Sequence, residues 1–214
     1  MPSVILLPDS FADFFREADD YYFSPVIGSY TSILRILVSV FTVIATPLYM
    51  LLMNNPDYIP KRLSFMHRSK ECNIPLLAQF IILELVINGL RIASLNTPDS
   101  ILNSLGIIGG LLLSEFAVNA GWSLGESILL MAFVTTASYT QPSFEMGYAM
   151  KFERIFILIL TSLFDLYGFI TGIIICVILS SLNKTVLGRG YLYPVIPVNA
   201  KTFAGLFIRH TTEK

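Results

Sequence analysis

The sequence predicts an all-α integral membrane protein with about four transmembrane helices plus one amphipathic interfacial or re-entrant helix. Two observations predict it. The composition is 54% hydrophobic and 14% charged, with a mean hydropathy of +0.69, where a soluble domain carries about 25% charged residues. The apolar residues also gather into long runs between Thr31 and Ser181, broken by prolines, glycines and polar clusters. A third observation bears on function. Glu84, Arg91, Glu115 and Asp165 sit inside or beside those runs. A charge at membrane depth costs roughly 2.5–3.5 kcal/mol on insertion scales and persists where it pairs, lines water or faces other helices.

Residues 1–30 are polar and acidic, with Asp9, Asp13, Glu17, Asp19 and Asp20 against Arg16. Val4–Leu7 reads as one buried strand with no sheet to join, so this segment is expected to be the remnant of a missing soluble domain. Phe11, Phe14 and Phe15 suit a short helix in the membrane interface. Residues 31–182 form the membrane domain. Its first span, 31–53, holds about 23 residues, against roughly 20 needed to cross. Arg35 is placed to snorkel, and Pro47 to kink the far end. Residues 54–75 form a basic, proline-broken loop.

Leu76–Leu95 carries Glu84, Asn88 and Arg91 at i, i+4 and i+7, a single polar stripe on a helix. It is expected to lie along the interface or to re-enter the membrane. The stripe is either the lining or gate of an ion path or a structural Glu84–Arg91 bridge. A second span is expected at 101–119, where Gly106, Gly110 and Ser114 have the spacing that lets membrane helices pack closely. Glu115 and Asn119 lie one turn apart at its end. Trp122 suits an interface anchor, a third span is expected at 124–140, and residues 143–154 read as a polar connector. The fourth span, 155–182, is one long tilted helix or two half-helices, with Asp165, Gly168 and Gly172 at its middle. A bent helix with Asp165 bonded to a neighbour is the plainer form. Residues 183–214 read as a basic cytoplasmic tail. Lys and Arg number seven on each side of the expected topology, so charge does not fix the orientation.

A net charge of −1 gives no electrostatic case for nucleic acid. Cys72 and Cys176 have no metal spacing, and Cys176 suits a small buried hydrophobe. No phosphate loop, dinucleotide turn or zinc pattern occurs, and His67 and His210 are isolated. The chain therefore reads as non-enzymatic, without metal or cofactor, its first partner the lipid bilayer.

Five ordered stretches carry a further likeness: Pro8–Phe15 with Asp20–Tyr22 and Ser24–Val26; Ile74–Pro75 with Glu84, Leu90 and Arg91; Gly106–Gly110 with Glu115–Gly121; Ala137–Ser138 through Pro142–Gly147; and Tyr191–Lys201 with Ile208–Arg209. Together they resemble the membrane domain of the spore germination receptor A-subunit (GerA) family. The Asp-Tyr-Tyr and Asn-Ala-Lys segments resemble its stage V sporulation protein AF branch. The resemblance implies a role in endospore germination in the inner spore membrane, within an oligomeric ion-conducting or ion-release complex. It also implies partnership with copies of itself and with other spore germination membrane proteins. A non-conducting scaffold is the alternative, favoured by the small-residue helix. An unrelated transporter or membrane enzyme has only Asp165 and the glycine-interrupted helix behind it.

Overall fold

The computed structural model describes residues 24–59, 72–95, 109–110, 114–141 and 143–182. The expected strand at Val4–Leu7, the Phe11–Phe15 helix, Gly106, most of the 101–119 span and the 183–214 tail lie outside these residues. Among them the elements are helical: α1 (Pro25–Asn54), α2 (Leu76–Leu95), α3 (Gly125–Ser138) and α4 (Phe144–Leu182), with a 3-10 turn at Pro56–Tyr58. Segments of α1, α2 and α4 are long and apolar enough to cross a membrane, whereas α3 is shorter.

Helix α1 starts with Pro25 in its first turn, where the missing N–H costs nothing and the fixed φ suits a helix. It runs through the buried Pro47. Its buried side is a seam of small and hydroxyl residues, Gly28, Ser32, Ser39, Thr42 and Thr46, leading to Tyr49 and Met50. The hydroxyls are satisfied locally. Ser32 Oγ donates to the Gly28 carbonyl at 2.9 Å, Ser39 Oγ to the Arg35 carbonyl at 2.7 Å and Thr42 Oγ1 to the Ser39 carbonyl at 2.7 Å. A helix with this seam approaches its neighbours closely without stranding a polar group. Tyr49 and Met50 join Leu76, Phe80, Leu83, Leu124, Met131 and Leu158 in the apolar core, and the Tyr49 and Phe80 rings meet edge to face.

Two expectations change here. Leu76–Leu95 is a span-length helix with Phe80, Leu83 and Glu84 buried against the bundle, where an interfacial or re-entrant helix was expected. The stripe turns inward because it meets cations on α4. Residues 143–154 are the opening turns of α4, where a polar connector was expected. Lys151 and Arg154 are buried there, so neither belongs to a loop in a count of topological charge.

Helix α4 is broken at Asp165, whose backbone has φ 48° and ψ −125°. The chain doubles back at that point. Ser180 Oγ donates to Glu153 Oε1 at 3.3 Å, Gly172 lies against Ile157, and Gly168 lies directly on the Leu160 carbonyl. The legs, α4a (144–164) and α4b (166–182), form an antiparallel hairpin, where a single bent helix was the plainer expectation. Gly168, Gly172, Cys176 and Ser180 recur every four residues along the inner face of α4b, the small-residue spacing that permits this approach. Asn55 secures the turn from outside: its Nδ2 lies 3.3 Å from Asp165 Oδ1 and from the Leu51 carbonyl at the end of α1.

An Asp at positive φ stores about 1–3 kcal/mol of strain. Asp165→Gly therefore keeps or raises the melting temperature in detergent despite losing the Asn55 bond. Asp165→Val, β-branched at the same φ, lowers it. Equal melting temperatures for the two variants would contradict a strained turn.

A buried charge ladder as the candidate functional site

Contacts from Gln141 near Ser39 to Asp165 near Asn55 set α4a parallel to α1. Contacts from Glu84 to Arg154 and from Asn88 to Lys151 set α2 antiparallel to it. Glu84 and Asn88 are one turn apart on α2, and Lys151 and Arg154 one turn apart on α4a, so each pair projects from one face. The antiparallel crossing brings the two faces together.

Arg154 Nη2 donates to Glu84 Oε2 in a direct ion pair. Asn88 Nδ2 donates to Glu84 Oε1 at 3.1 Å, and Lys151 Nζ stands 3.8 Å from that same oxygen while donating to Asn88 Oδ1. Arg154 Nη1 also reaches the Thr42 carbonyl at 3.4 Å, so the ladder touches α1 as well. One turn farther along α2, the Arg91 guanidinium lies 5.3 Å from the ring centroids of both Tyr139 and Tyr148. Lys151 Nζ lies 5.3 Å from the Tyr148 ring. Cations over aromatic faces are attracted by the ring quadrupole, more strongly when water is excluded.

Glu84, Lys151 and Arg154 are 5%, 6% and 4% exposed. At about 1.5 Å per residue, Arg154 is about 16 Å from the Asp165 turn, roughly half the length of α4a. The charges therefore sit near the middle of the span-length helices. One carboxylate faces one ammonium and one guanidinium in this buried group, a formal surplus of one positive charge before Arg91 is counted. Burying ions is costly, and the arrangement persists because each charge is paired and hydrogen-bonded.

The stripe residues Glu84, Asn88 and Arg91 are thus brought together with residues of α4 and the α3–α4 turn. The Glu84 carboxylate is taken up by Arg154 and Lys151 rather than by Arg91 on its own helix. Tyr148, Lys151 and Arg154 escaped the sequence reading as site residues because the polar run at 143–154 looked like a loop, and Tyr139 because it lay at the end of the expected span at 124–140. The signal was present: Tyr148, Lys151 and Arg154 recur at three-residue steps, and Glu84, Asn88 and Arg91 at steps of four and three, so each set falls on one helix face.

The other expected polar residues lie apart. Glu115 and Asn119 are exposed on a helical segment at 114–119, and Asp165 is exposed at the hairpin turn. Gly110 faces open space, while Gly109 lies against Leu90, 3.3 Å from where its Cβ would be. Ser114 is half-buried. At the opposite end of α3, Gln79 Oε1 accepts the Leu124 N–H at 3.0 Å, and Gln79 Nε2 donates to the Ile74 carbonyl at 2.7 Å. No group of His, Cys, Asp or Glu that could hold a metal occurs among the described residues.

Comparison with known proteins supplies the family. The sequence model described as Bacillus/Clostridium GerA spore germination protein matches residues 1–214. Stage V sporulation protein AF of Bacillus subtilis is 28% identical over 208 residues, covering 97% of this chain and 42% of that protein. Spore germination protein GerIA of Bacillus cereus is 32% identical over 176 residues, covering 81% of this chain and 26% of that protein. Spore germination protein GerQA of Bacillus cereus is 30% identical over 213 residues, covering 97% and 42%. The chain thus spans less than half the length of these relatives. No solved structure matches it. A match to the family along every residue, joined to span-length apolar helices, makes the chain a member of the GerA spore germination family.

Proposed function

We propose that this chain is part of an oligomeric ion-conducting or ion-release complex acting in endospore germination, in the inner spore membrane. Copies of the same chain and other spore germination membrane proteins are its partners. Within it the stripe Glu84, Asn88 and Arg91, with Tyr148, Lys151 and Arg154, serves as a gate latch between α2 and the α4 hairpin. One observation carries this reading: a paired but positively unbalanced charge cluster, buried midway along span-length helices and bridging three of them. Intramembrane ionisable residues are functional by default. A latch of paired charges has two discrete states, closed when paired and open when separated, and gating requires that property. A bundle this small leaves little room for a wide lumen of its own, which favours several copies around an axis.

The ladder satisfies its charges within one chain, and that also suits a brace in a non-conducting scaffold. Lys151→Met separates the two readings. It removes the surplus cation and leaves the Glu84–Arg154 pair in place. A latch gives altered kinetics of ion release from germinating spores at normal protein level by immunoblot. Unchanged release at normal level leaves only the brace.

A further inference from the structure

Glu153 adjoins Arg154 in the chain but does not join the ladder. One residue is about 100° around a helix, and Glu153 turns toward α4b, where Ser180 Oγ donates to it at 3.3 Å. Twelve residues of helix place it about 18 Å from the Asp165 turn, the same middle depth as Glu84. The two carboxylates differ in their company. Glu84 is buried and held by two cations. Glu153 is half-buried, with a hydroxyl as partner and no cation within ion-pair distance among the described residues. Cys176, one turn before Ser180 on the same face of α4b, is a half-buried free thiol. A carboxyl at this depth without a counter-charge either carries a proton or takes a positive partner from outside the fold.

We infer that Glu153, with the Ser180 hydroxyl, forms a binding point for a monovalent alkali cation between the two legs of the α4 hairpin. The inference rests on the ion-release reading above and deepens it. The Glu84 carboxylate of the α2–α4a ladder is already taken up by Arg154 and Lys151, so the carboxylate left to meet the moving ion is on the hairpin's other face. The chemistry fits: a carboxylate and a hydroxyl are hard oxygen donors, suited to a cation that exchanges its water in steps. A single carboxylate with one hydroxyl holds an ion weakly enough to release it, as conduction demands. Repeated around an oligomer axis, Glu153 would form a ring of carboxylates, the usual basis of cation preference.

The test uses the intact protein in vesicles and does not require that it conduct. A hydrophobic carbodiimide reacts with protonated carboxyls inside a membrane, and the modified residue is identified by mass spectrometry. Labelling is expected at Glu153. It should slow several-fold as sodium or potassium replaces N-methylglucamine at constant ionic strength, by simple competition. Ser180→Ala should weaken that protection, and Glu153→Gln should abolish the label. Labelling that responds to pH but not to alkali cations would show a proton-carrying carboxyl and overturn the inference. Absence of label at Glu153 would overturn it too. A wild-type protein that shows cation-protected labelling but no ion release in spores would sink the ion-release reading and leave this site standing.

Discussion

Glu84→Gln is expected to destabilise the folded protein by about 3–5 kcal/mol, the range for leaving a buried charge without its partner. The amide keeps the volume and much of the hydrogen bonding, so the loss is electrostatic. Arg154 and Lys151, both buried, would face each other with the Thr42 carbonyl and Asn88 as their remaining polar neighbours. The melting temperature in detergent should fall steeply, and the protein level in membranes should drop. Replacing both partners by neutral groups is far gentler than replacing one. Glu84→Gln with Arg154→Met should therefore be more stable than Glu84→Gln alone, a non-additivity that marks residues in contact. A double variant as unstable as the sum of its single changes would contradict the pairing.

Gly168→Ala is expected to have the other large effect. An added Cβ would collide with the backbone carbonyl of Leu160, and backbone cannot rotate away as a side chain can. Overpacking of this kind costs typically 1–3 kcal/mol, occasionally more, and here the cost falls on the contact that keeps the two α4 legs together. Gly172→Ala serves as the comparison. Its Cβ would meet Ile157 at 3.3–3.4 Å, a distance relieved by a shift of a few tenths of an ångström. Cysteines placed at 153 and 180 report hairpin closure by crosslinking. Crosslinking should be largely lost in Gly168→Ala and largely kept in Gly172→Ala. Equal crosslinking in both would mean that the legs do not meet as described.

Helix class and the first span were legible because length and apolar content alone decide them. The long run of 155–182 was legible as apolar, but hydropathy carries no sign of direction, so it could not tell one tilted helix from two legs folded together. Asp165 with Gly168 and Gly172 marked the place. The conformation of Asp165, with its positive φ, depends on close packing of Gly168 against Leu160, a tertiary fact. The stripe on Leu76–Leu95 was legible from its period. Its partners were not, because Lys151 and Arg154 resemble loop residues until α2 is known to lie against them. Treating a charge cluster as the end of a span is sound for a helix facing lipid and fails for one facing cations. The small-residue seam of α1 was hidden for a related reason. Ser32, Ser39, Thr42 and Thr46 look unremarkable in an apolar helix until their shared side is buried.

The turn at Asp165 also bears on how the chain enters a bilayer. Two apolar legs joined by a single residue leave no hydrophilic loop to be drawn through as a separate step. The geometry favours entry of the two legs as a pair already in contact. Paired this way, the Glu153 carboxylate enters with the Ser180 hydroxyl on it, shielding a polar group that a lone helix would have to carry bare into lipid. The order of synthesis then matters. If the pair enters together, residues 144–164 would stay at the insertion site until 166–182 has emerged, and the hairpin would be a unit of biogenesis as well as a unit of fold.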